Sequence, residues 1–313
     1  MQKEILVSEN PIVREASEGV ILVVGATGLV GSEVCKRLRK RGEPVRALVR
    51  ATSSRNRIEA LRLCGTELCF GDLKDADSIA AACRGVDGII STATSTLSRQ
   101  PGDSIESVDA AGQMNLLSAA KDANVNRFLY VSFSTTAAIS GPLASAKEQV
   151  ENSIRGLNFT VIQASYFMEV WLSPVLGFDY ANAEARIYGP GTMPISWVSI
   201  CDVAEICAIA LRHPAAERRT IEFGGPEALT PLEVVRRFEK IGGTSFRLEH
   251  ISEQILLEQF EGATDSLQKS FAALMLGYLH GDAVSMASVV DTFGIRLTSV
   301  DEYAHSVLGK AAA

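Results

Sequence analysis

Missing from this 313-residue chain is any apolar run of the roughly 18 or more residues that a bilayer-spanning helix requires. Missing too are the apolar core and small-residue cleavage site of a secretory leader. The first ten residues, Met-Gln-Lys-Glu-Ile-Leu-Val-Ser-Glu-Asn, fit neither, so a cytoplasmic protein with no membrane association is expected. Basic residues are in deficit, 30 Lys and Arg against 37 Asp and Glu, for a net charge of −7. That balance argues against a surface built to track phosphate backbones, and nucleic acid is not expected as a partner. The cysteines at 35, 64, 69, 83, 201 and 207 form no CxxC pair and lie in apolar segments, which points to buried free thiols. The histidines at 213, 250, 280 and 305 fall in no HxxxH or HExxH arrangement, so no metal is expected.

What is present begins at Val20. The run Val20-Ile-Leu-Val-Val-Gly-Ala-Thr-Gly-Leu-Val-Gly31 leads a β-branched strand into glycines at 25, 28 and 31 and then into the helical stretch Ser32–Lys40. Strand, tight turn and helix N-terminus together form the apparatus that holds a dinucleotide pyrophosphate. Gly25 permits the turn, Gly28 lets backbone N–H groups approach phosphate, and Gly31 lets helix and strand pack closely. The spacing is GxxGxxG, with Thr27 where the commoner form has glycine.

Downstream, strand-like and helix-like segments alternate. Strands are predicted at 20–24, 45–49, 67–70, 87–92, 127–133 and 159–163, and helices at 29–41, 54–63, 76–83, 103–123 and 143–155. Short connections between them specify a doubly wound parallel α/β sheet covered by helices on both faces. Residues 1–18 read as an N-terminal extension, partly disordered, and 19–165 as the nucleotide-binding domain. Past 165 the pattern loosens. Met168–Pro174 reads as loop or short helix, Ile195–Ser199 as a strand, Asp202 as the cap of a helix over Val203–Leu211, and 220–223 as a strand. Thr230 caps a helix through Lys240, and the last 70 or so residues are helical in composition, with Phe271–Leu276 a core helix. Residues 195–224 are expected to return to the first domain, and 166–194 with 225–313 to form a smaller C-terminal substrate lobe.

The residue that ends the second strand selects the dinucleotide, because a carboxylate there accepts from a ribose 2′-OH whereas arginine pairs with a 2′-phosphate. Here the strand Val45–Val49 ends in Arg50, with Arg55 and Arg57 following. NADPH is favoured over NADH; the alternative is an ordinary solvated loop. Gly71-Asp72-Leu73 and Ser91-Thr92-Ala93-Thr94 follow the third and fourth strands, at the carboxyl ends where ligands bind in an open sheet, although Asp72 could equally cap a helix. Leu143, Ala146, Val150, Ile154 and Leu157 make one apolar stripe, and Lys147 lies one turn beyond Leu143. It is either a solvated edge residue or an ammonium turned into the cleft, where it can bind ribose hydroxyls and stabilise negative charge on a substrate oxygen.

Five stretches carry a resemblance: Gly25–Gly31, Val45–Arg50, Phe128-Leu-Tyr-Val-Ser132, Ala146-Lys-Glu-Gln-Val-Glu151 and Gly156–Ile162. With the later Ile195–Ala204 and Phe223–Thr230, they resemble the NmrA-like group of atypical short-chain dehydrogenases over about residues 20 to 240. The resemblance implies an NADP(H)-binding Rossmann domain with a small substrate lobe, and a functional Lys147 by analogy with relatives that keep only this lysine. One departure matters: the tyrosine that usual short-chain dehydrogenases carry four residues before the lysine is Leu143 here, which cannot donate a proton.

Cofactor contacts are therefore expected from Gly25, Thr27, Gly28, Leu29, Val30, Gly31, Arg50, Asp72, Leu73, Thr92, Ala93, Ser132, Lys147 and Phe167. Catalytic roles are expected from Lys147, Ser134 and Tyr166. A serine hydroxyl is a weak acid without a partner, and Tyr166 with Phe167, Met168 and Trp171 reads equally as an apolar pocket wall. The expected activity is NADPH-dependent hydride transfer to a small apolar or aromatic acceptor such as a quinone or enone. The alternative is a non-catalytic NADP(H) sensor that binds a protein partner. A homodimer stays open.

Overall fold

Val20–Val24 (β1), Val45–Val49 (β2), Glu67–Phe70 (β3), Val86–Ser91 (β4), Arg127–Phe133 (β5), Phe159–Ala164 (β6) and Arg219–Phe223 form one sheet in the computed structural model, which describes residues 19–97, 100–134 and 140–311. The expected N-terminal extension, residues 1–18, lies outside the described residues. All strand pairs are parallel, and the order runs β3, β2, β1, β4, β5, β6 and then Arg219–Phe223. The order reverses between β1 and β4, and the crevice opened there at the carboxyl ends is where this architecture binds ligands.

Alternation along each strand builds two cores. Ile21 and Val23 of β1 pack on one face with Val34 and Leu38 of α1 (Leu29–Lys40), while Leu22 and Val24 pack on the other. That second face is covered by α3 (Ala76–Cys83), α4 (Gln113–Asp122) and α5 (Pro142–Ser153). Between β2 and β3 the chain forms α2 (Arg55–Leu63). After β6 come α6 (Met168–Trp171), β7 (Phe178–Asp179) and β8 (Glu184–Tyr188).

Helix α7 (Ile200–Ala210) then returns to the first face beside α1, followed by Arg219–Phe223, which is β9. Buried Arg127 on β5 fastens this return, donating to the carbonyls of Leu211 (3.1 Å) and Ala210 (2.9 Å) at the end of α7, whose last carbonyls lack helical partners. The remainder comprises α8 (Pro231–Gly242), β10 (Arg247–Ile251), α9 (Glu253–Glu261), α10 (Ser266–His280), α11 (Ala287–Phe293) and α12 (Val300–Ala311). A separate core built around Trp197, Phe238 and Tyr278 joins α8, α10 and α12 to a three-stranded sheet in the order β10, β8, β7.

The structure corrects several sequence expectations. Residues 103–123 are not one regular helix: Ile105–Gly112 winds as a π-helical segment before α4, with Asp109 turned inward and Gly112 pressed on Leu73. Ile195–Ser199 joins no sheet; Ile195 bridges Leu229 and Asp282 while Val198 bridges Phe167, so three different partners replace a ladder. Ser199, not Asp202, caps α7, its Oγ accepting from Cys201 N at 3.1 Å. Asp202 instead accepts from Thr298 N and Oγ1 at 2.6 and 2.9 Å, tying the C-terminal segment to α7. The cysteines are free as expected, but only Cys35, Cys83 and Cys207 are buried; Cys64, Cys69 and Cys201 are half-buried. Among the described residues no helix is long and apolar enough to cross a membrane.

Candidate functional site

The turn after β1 has room for glycine alone at two positions, 25 and 31. Gly25 has φ of +82°, and a Cβ there would stand 2.8 Å from both Ala93 N and Thr92 Oγ1. A Cβ on Gly31 would lie 2.2 Å from the Gly25 carbonyl oxygen. Gly28 is the N-cap of α1 and carries no capping side chain, so the first-turn N–H groups of Leu29, Val30 and Gly31 face the crevice uncapped by this residue. Gly28 N donates to Gly25 O at 2.8 Å, and Arg57 Nη1 donates to Thr27 O at 2.9 Å, closing the turn from the far side. A cradle of bare backbone at the N-terminus of a 12-residue helix fits a pyrophosphate. Across it, Thr92 N and Oγ1 both donate to Val24 O, at 2.9 and 3.1 Å, pinning the end of β4 to β1; Ala93 O accepts from Gln113 Nε2 at 3.1 Å.

Beyond the end of β2, Arg50 lines the cleft and donates to Asp103 Oδ2 at 2.6 Å, while Lys74 Nζ donates to Asp103 Oδ1 at 2.6 Å. Burial of Asp103 raises its pKa, but the hydrogen bonds from Lys74 and Arg50 outweigh it and hold the carboxyl below the usual range. Lys74 and Asp103 escaped the sequence reading. Lys74 also lies 3.8 Å from Asp72, so Arg50 and Lys74 meet two carboxylates here, and Arg57 adds a further cation to this end of the cleft. Asp72 accepts from Lys74 N at 2.9 Å, and Leu73 beside it is buried.

At the other end, β5 and β6 are in register, with Phe133 opposite Ala164, so that Ser132, Ser134 and the residues after Ala164 emerge together. Lys147 is turned inward, not solvated: it is buried, lines the cleft, donates to Val131 O at 3.3 Å and sits 4.7 Å from the centre of the Tyr130 ring. Burial lowers its pKa, against the opposing influence of Asp109 and Glu151. Leu143, one turn earlier, is a buried apolar wall. Ser132 Oγ is buried without a hydrogen-bond partner.

Tyr166 stands edge-on to Trp171 at 4.8 Å and donates its hydroxyl to Leu274 O at 3.3 Å. Burial first, and Asp282 second, push the phenol pKa up. Phe167 is half-buried against the first core and lines the cleft. Ser134 Oγ donates to Asp282 Oδ1 at 2.7 Å. Asp282, which lies in a stretch with no readable motif, is the main site residue that sequence reasoning missed; its only local signal is Gly281, which ends α10 at φ +77°. The cleft holds about 410 Å³, runs from the glycine turn past Arg50 to a chamber walled by Tyr166, Trp171, Phe271 and Leu274, and is within the usual range for a ligand site. Among the described residues no group of three His, Cys, Asp or Glu side chains is placed to hold a metal ion.

Comparison with known proteins agrees with this architecture. The chain is 28% identical to the isoflavone reductase homolog IRL of Zea mays over 92% of its own length and 98% of that protein. It is 29% identical to a photosystem II assembly factor of Trieres chinensis, over 74% of this chain and 72% of the relative. Among solved structures, the NADPH-dependent quinone oxidoreductase of Escherichia coli complexed with NADPH superposes with a TM-score of 0.74 at 20% identity, covering 92% of this chain and 99% of the other, a likeness of fold. The model of the NmrA-like family matches residues 17–304, and the chain belongs to that family.

Proposed function

We propose that this chain is an NADPH-dependent oxidoreductase that passes hydride to a small apolar or aromatic acceptor such as a quinone or enone. The observation that carries the reading is one cleft joining a glycine cradle, closed to a Cβ at Gly25 and Gly31, to an aromatic chamber, with the Lys147 ammonium buried along it. Residues 19–165 with 195–224 act as the nucleotide domain, and 166–194 with 225–313 as the substrate lobe, except that Met286, Ile295 and Leu297 pack into the core of the nucleotide domain. The related reductase homolog and the quinone oxidoreductase of similar fold support the same chemistry.

The residues divide the work along the cleft. The N–H groups at the start of α1, with Thr27 and Gly28, hold the pyrophosphate. Arg50 takes the 2′-phosphate, and Asp72 with Leu73 flanks the adenosine half. Thr92, Ala93, Ser132 and Phe167 line the path to the nicotinamide, which supplies hydride when bound. Lys147 binds ribose hydroxyls and stabilises negative charge that develops on the acceptor oxygen, in a site where burial strengthens its field. Ser134 and Tyr166 border the acceptor.

The direct test is the full chain with NADPH and a panel of quinones and enones, read as absorbance loss at the reduced nicotinamide band. A second reading, an NADP(H) sensor that docks a protein partner, is favoured by Leu143 in place of an acid and by the likeness to an assembly factor. Tight, redox-selective NADP(H) binding with no turnover on any acceptor selects that reading. For the cofactor, Arg50→Ala is expected to weaken NADPH by roughly 10- to 100-fold, the worth of one charge-assisted hydrogen bond to a phosphate, and to leave NADH nearly unchanged. Titration calorimetry with both nucleotides checks this; equal losses remove the 2′-phosphate assignment.

A further inference from the structure

Asp282 sits where the chain leaves α10. Gly281, at φ +77° and with its Cβ position only 2.6 Å from Pro194 O, turns the backbone so that Asp282 N donates to Pro194 O and Asp282 O accepts from Ser196 N, each at 2.9 Å. The side chain is thereby fixed on the cleft wall beyond the carboxyl ends of β5 and β6. There it meets Ser134 at 2.7 Å, with Ser165 and Tyr166 alongside. Its second oxygen, Oδ2, is buried and has no hydrogen-bond partner, and the same holds for Ser165 Oγ.

A carboxylate so placed has one strong hydrogen bond for two desolvated oxygens. The charged groups around it do not restore the balance. Glu222 on β9 disfavours ionisation further, Tyr166 after β6 is neutral, and the Lys147 ammonium on α5 is drawn instead toward Asp109 and Glu151. Burial raises the Asp282 pKa more than the Ser134 hydroxyl lowers it. A neutral carboxyl is a hydrogen-bond donor, whereas an ionised one only accepts. The other candidates are weaker acids: Tyr166 is pushed above its ordinary value and its hydroxyl is engaged by Leu274 O, and Leu143 has no proton to give.

We propose that Asp282 is the proton donor of the reduction, passing its carboxyl proton through the Ser134 hydroxyl to the acceptor oxygen. This rests on the oxidoreductase reading above. As the acceptor carbon gains hydride from the reduced nicotinamide, its π electron pair moves onto oxygen. The Ser134 hydroxyl turns from Asp282 Oδ1 to the acceptor oxygen and gives it its proton, and Ser134 Oγ takes the Asp282 carboxyl proton across their contact. Oxidised cofactor, reduced acceptor and an Asp282 carboxylate remain, and solvent returns the proton to Asp282. Ser134 acts here as the acid that a serine alone cannot be, because a partner refills it.

Asp282→Asn keeps the shape and the contact with Ser134 but has no acidic proton. Three measurements on the full chain test the role. NADPH titration by fluorescence is expected to give an affinity within about threefold of wild type, which reports an intact fold. Single-turnover reduction of a quinone is expected to slow by about 10²-fold or more and to lose the fall in rate that wild type shows as pH rises through the carboxyl pKa. Infrared difference spectra of the NADPH complex, recorded as the pH is lowered, are expected to show a protonated-carboxyl band in wild type that persists to higher pH than an ordinary aspartate allows and that the variant lacks. A variant as fast as wild type, an unchanged pH limb, or a carboxylate band alone overturns the proposal. If Asp282→Asn fails to bind NADPH, Ser134→Ala, which removes the relay hydroxyl, carries the same kinetic expectation. A wild type that reduces no acceptor overturns the oxidoreductase reading itself and the donor role with it, whereas an active wild type with an active variant overturns the donor alone.

Discussion

Lys147→Met is expected to stop hydride transfer and at the same time make the protein more stable. The ammonium lies buried among Tyr130, Leu143 and the β5 backbone with one 3.3 Å hydrogen bond, and burial lowers its pKa from the ordinary 10.5. Because the unfolded chain binds this proton more tightly than the folded one, holding the lysine charged inside the fold costs stability. The cost is full below the folded-state pKa and disappears as pH rises toward the unfolded value. Methionine fills the same volume without charge, and relief of the ammonium's desolvation is expected to stabilise by about 1–3 kcal/mol. Turnover is expected to fall by roughly 10²- to 10³-fold with the loss of a preorganised cation at the acceptor oxygen. Thermal melts between neutral and alkaline pH, run beside single-turnover assays, check both halves. Wild type should gain on the variant as the pH rises. A variant that melts lower than wild type at neutral pH means that Asp109, Glu151 and the Tyr130 ring more than compensate the ammonium, and the trade between stability and activity at this position is then wrong.

The parts of this molecule that were legible in its sequence are those whose signals are local. From β1 to β6 every strand ends within a residue or so of its prediction, because each carries an apolar stretch closed by a turn or loop, and β1 to β3 lead straight into α1 to α3. Thr230 likewise marks the start of α8, and the structure adds Glu233 to complete its capping box. What escaped depends on partners far away in the chain. β10 has five residues with no apolar alternation, mostly exposed, and is a strand only because it pairs with β8, as Arg247 opposite Glu184 shows. The Ile195–Val198 segment has strand-like residues but meets three separate partners.

The site divides in the same way. Its glycine turn and Arg50 are written in contiguous motifs, whereas Asp103 reaches Arg50 from 53 residues away and Asp282 reaches Ser134 from 148. Lys147 was ambiguous for a related reason: helical period placed it at the edge of a stripe, and only the packing of α5 on β5 decided which way the ammonium turned. Leu143 reads differently once the chamber is in view. In the sequence it marked the loss of an acid; in the fold it is one wall of a cavity that Asp282 also lines.

The three glycines of the turn make separate demands, and two substitutions tell them apart. At Gly31 a Cβ would lie 2.2 Å from the Gly25 carbonyl oxygen, 2.7 Å from its carbon and 2.8 Å from Thr92 Oγ1. Two of these are backbone atoms that cannot rotate aside, so α1 must lift from β1, and Gly31→Ala is expected to cost about 1–3 kcal/mol of stability together with nucleotide binding. At Gly28 the nearest atom is the same carbonyl oxygen at 3.0 Å, and the backbone, at φ −78°, is open to any residue. Gly28→Ala is therefore expected to melt within a degree or two of wild type, yet to lose NADPH affinity by about 10²-fold, because the new methyl group stands where phosphate must meet the N-terminus of α1. Calorimetric titration beside thermal denaturation separates the two outcomes. If Gly28→Ala binds NADPH as well as wild type, the turn is only a turn, and the nucleotide must be sought elsewhere along the cleft.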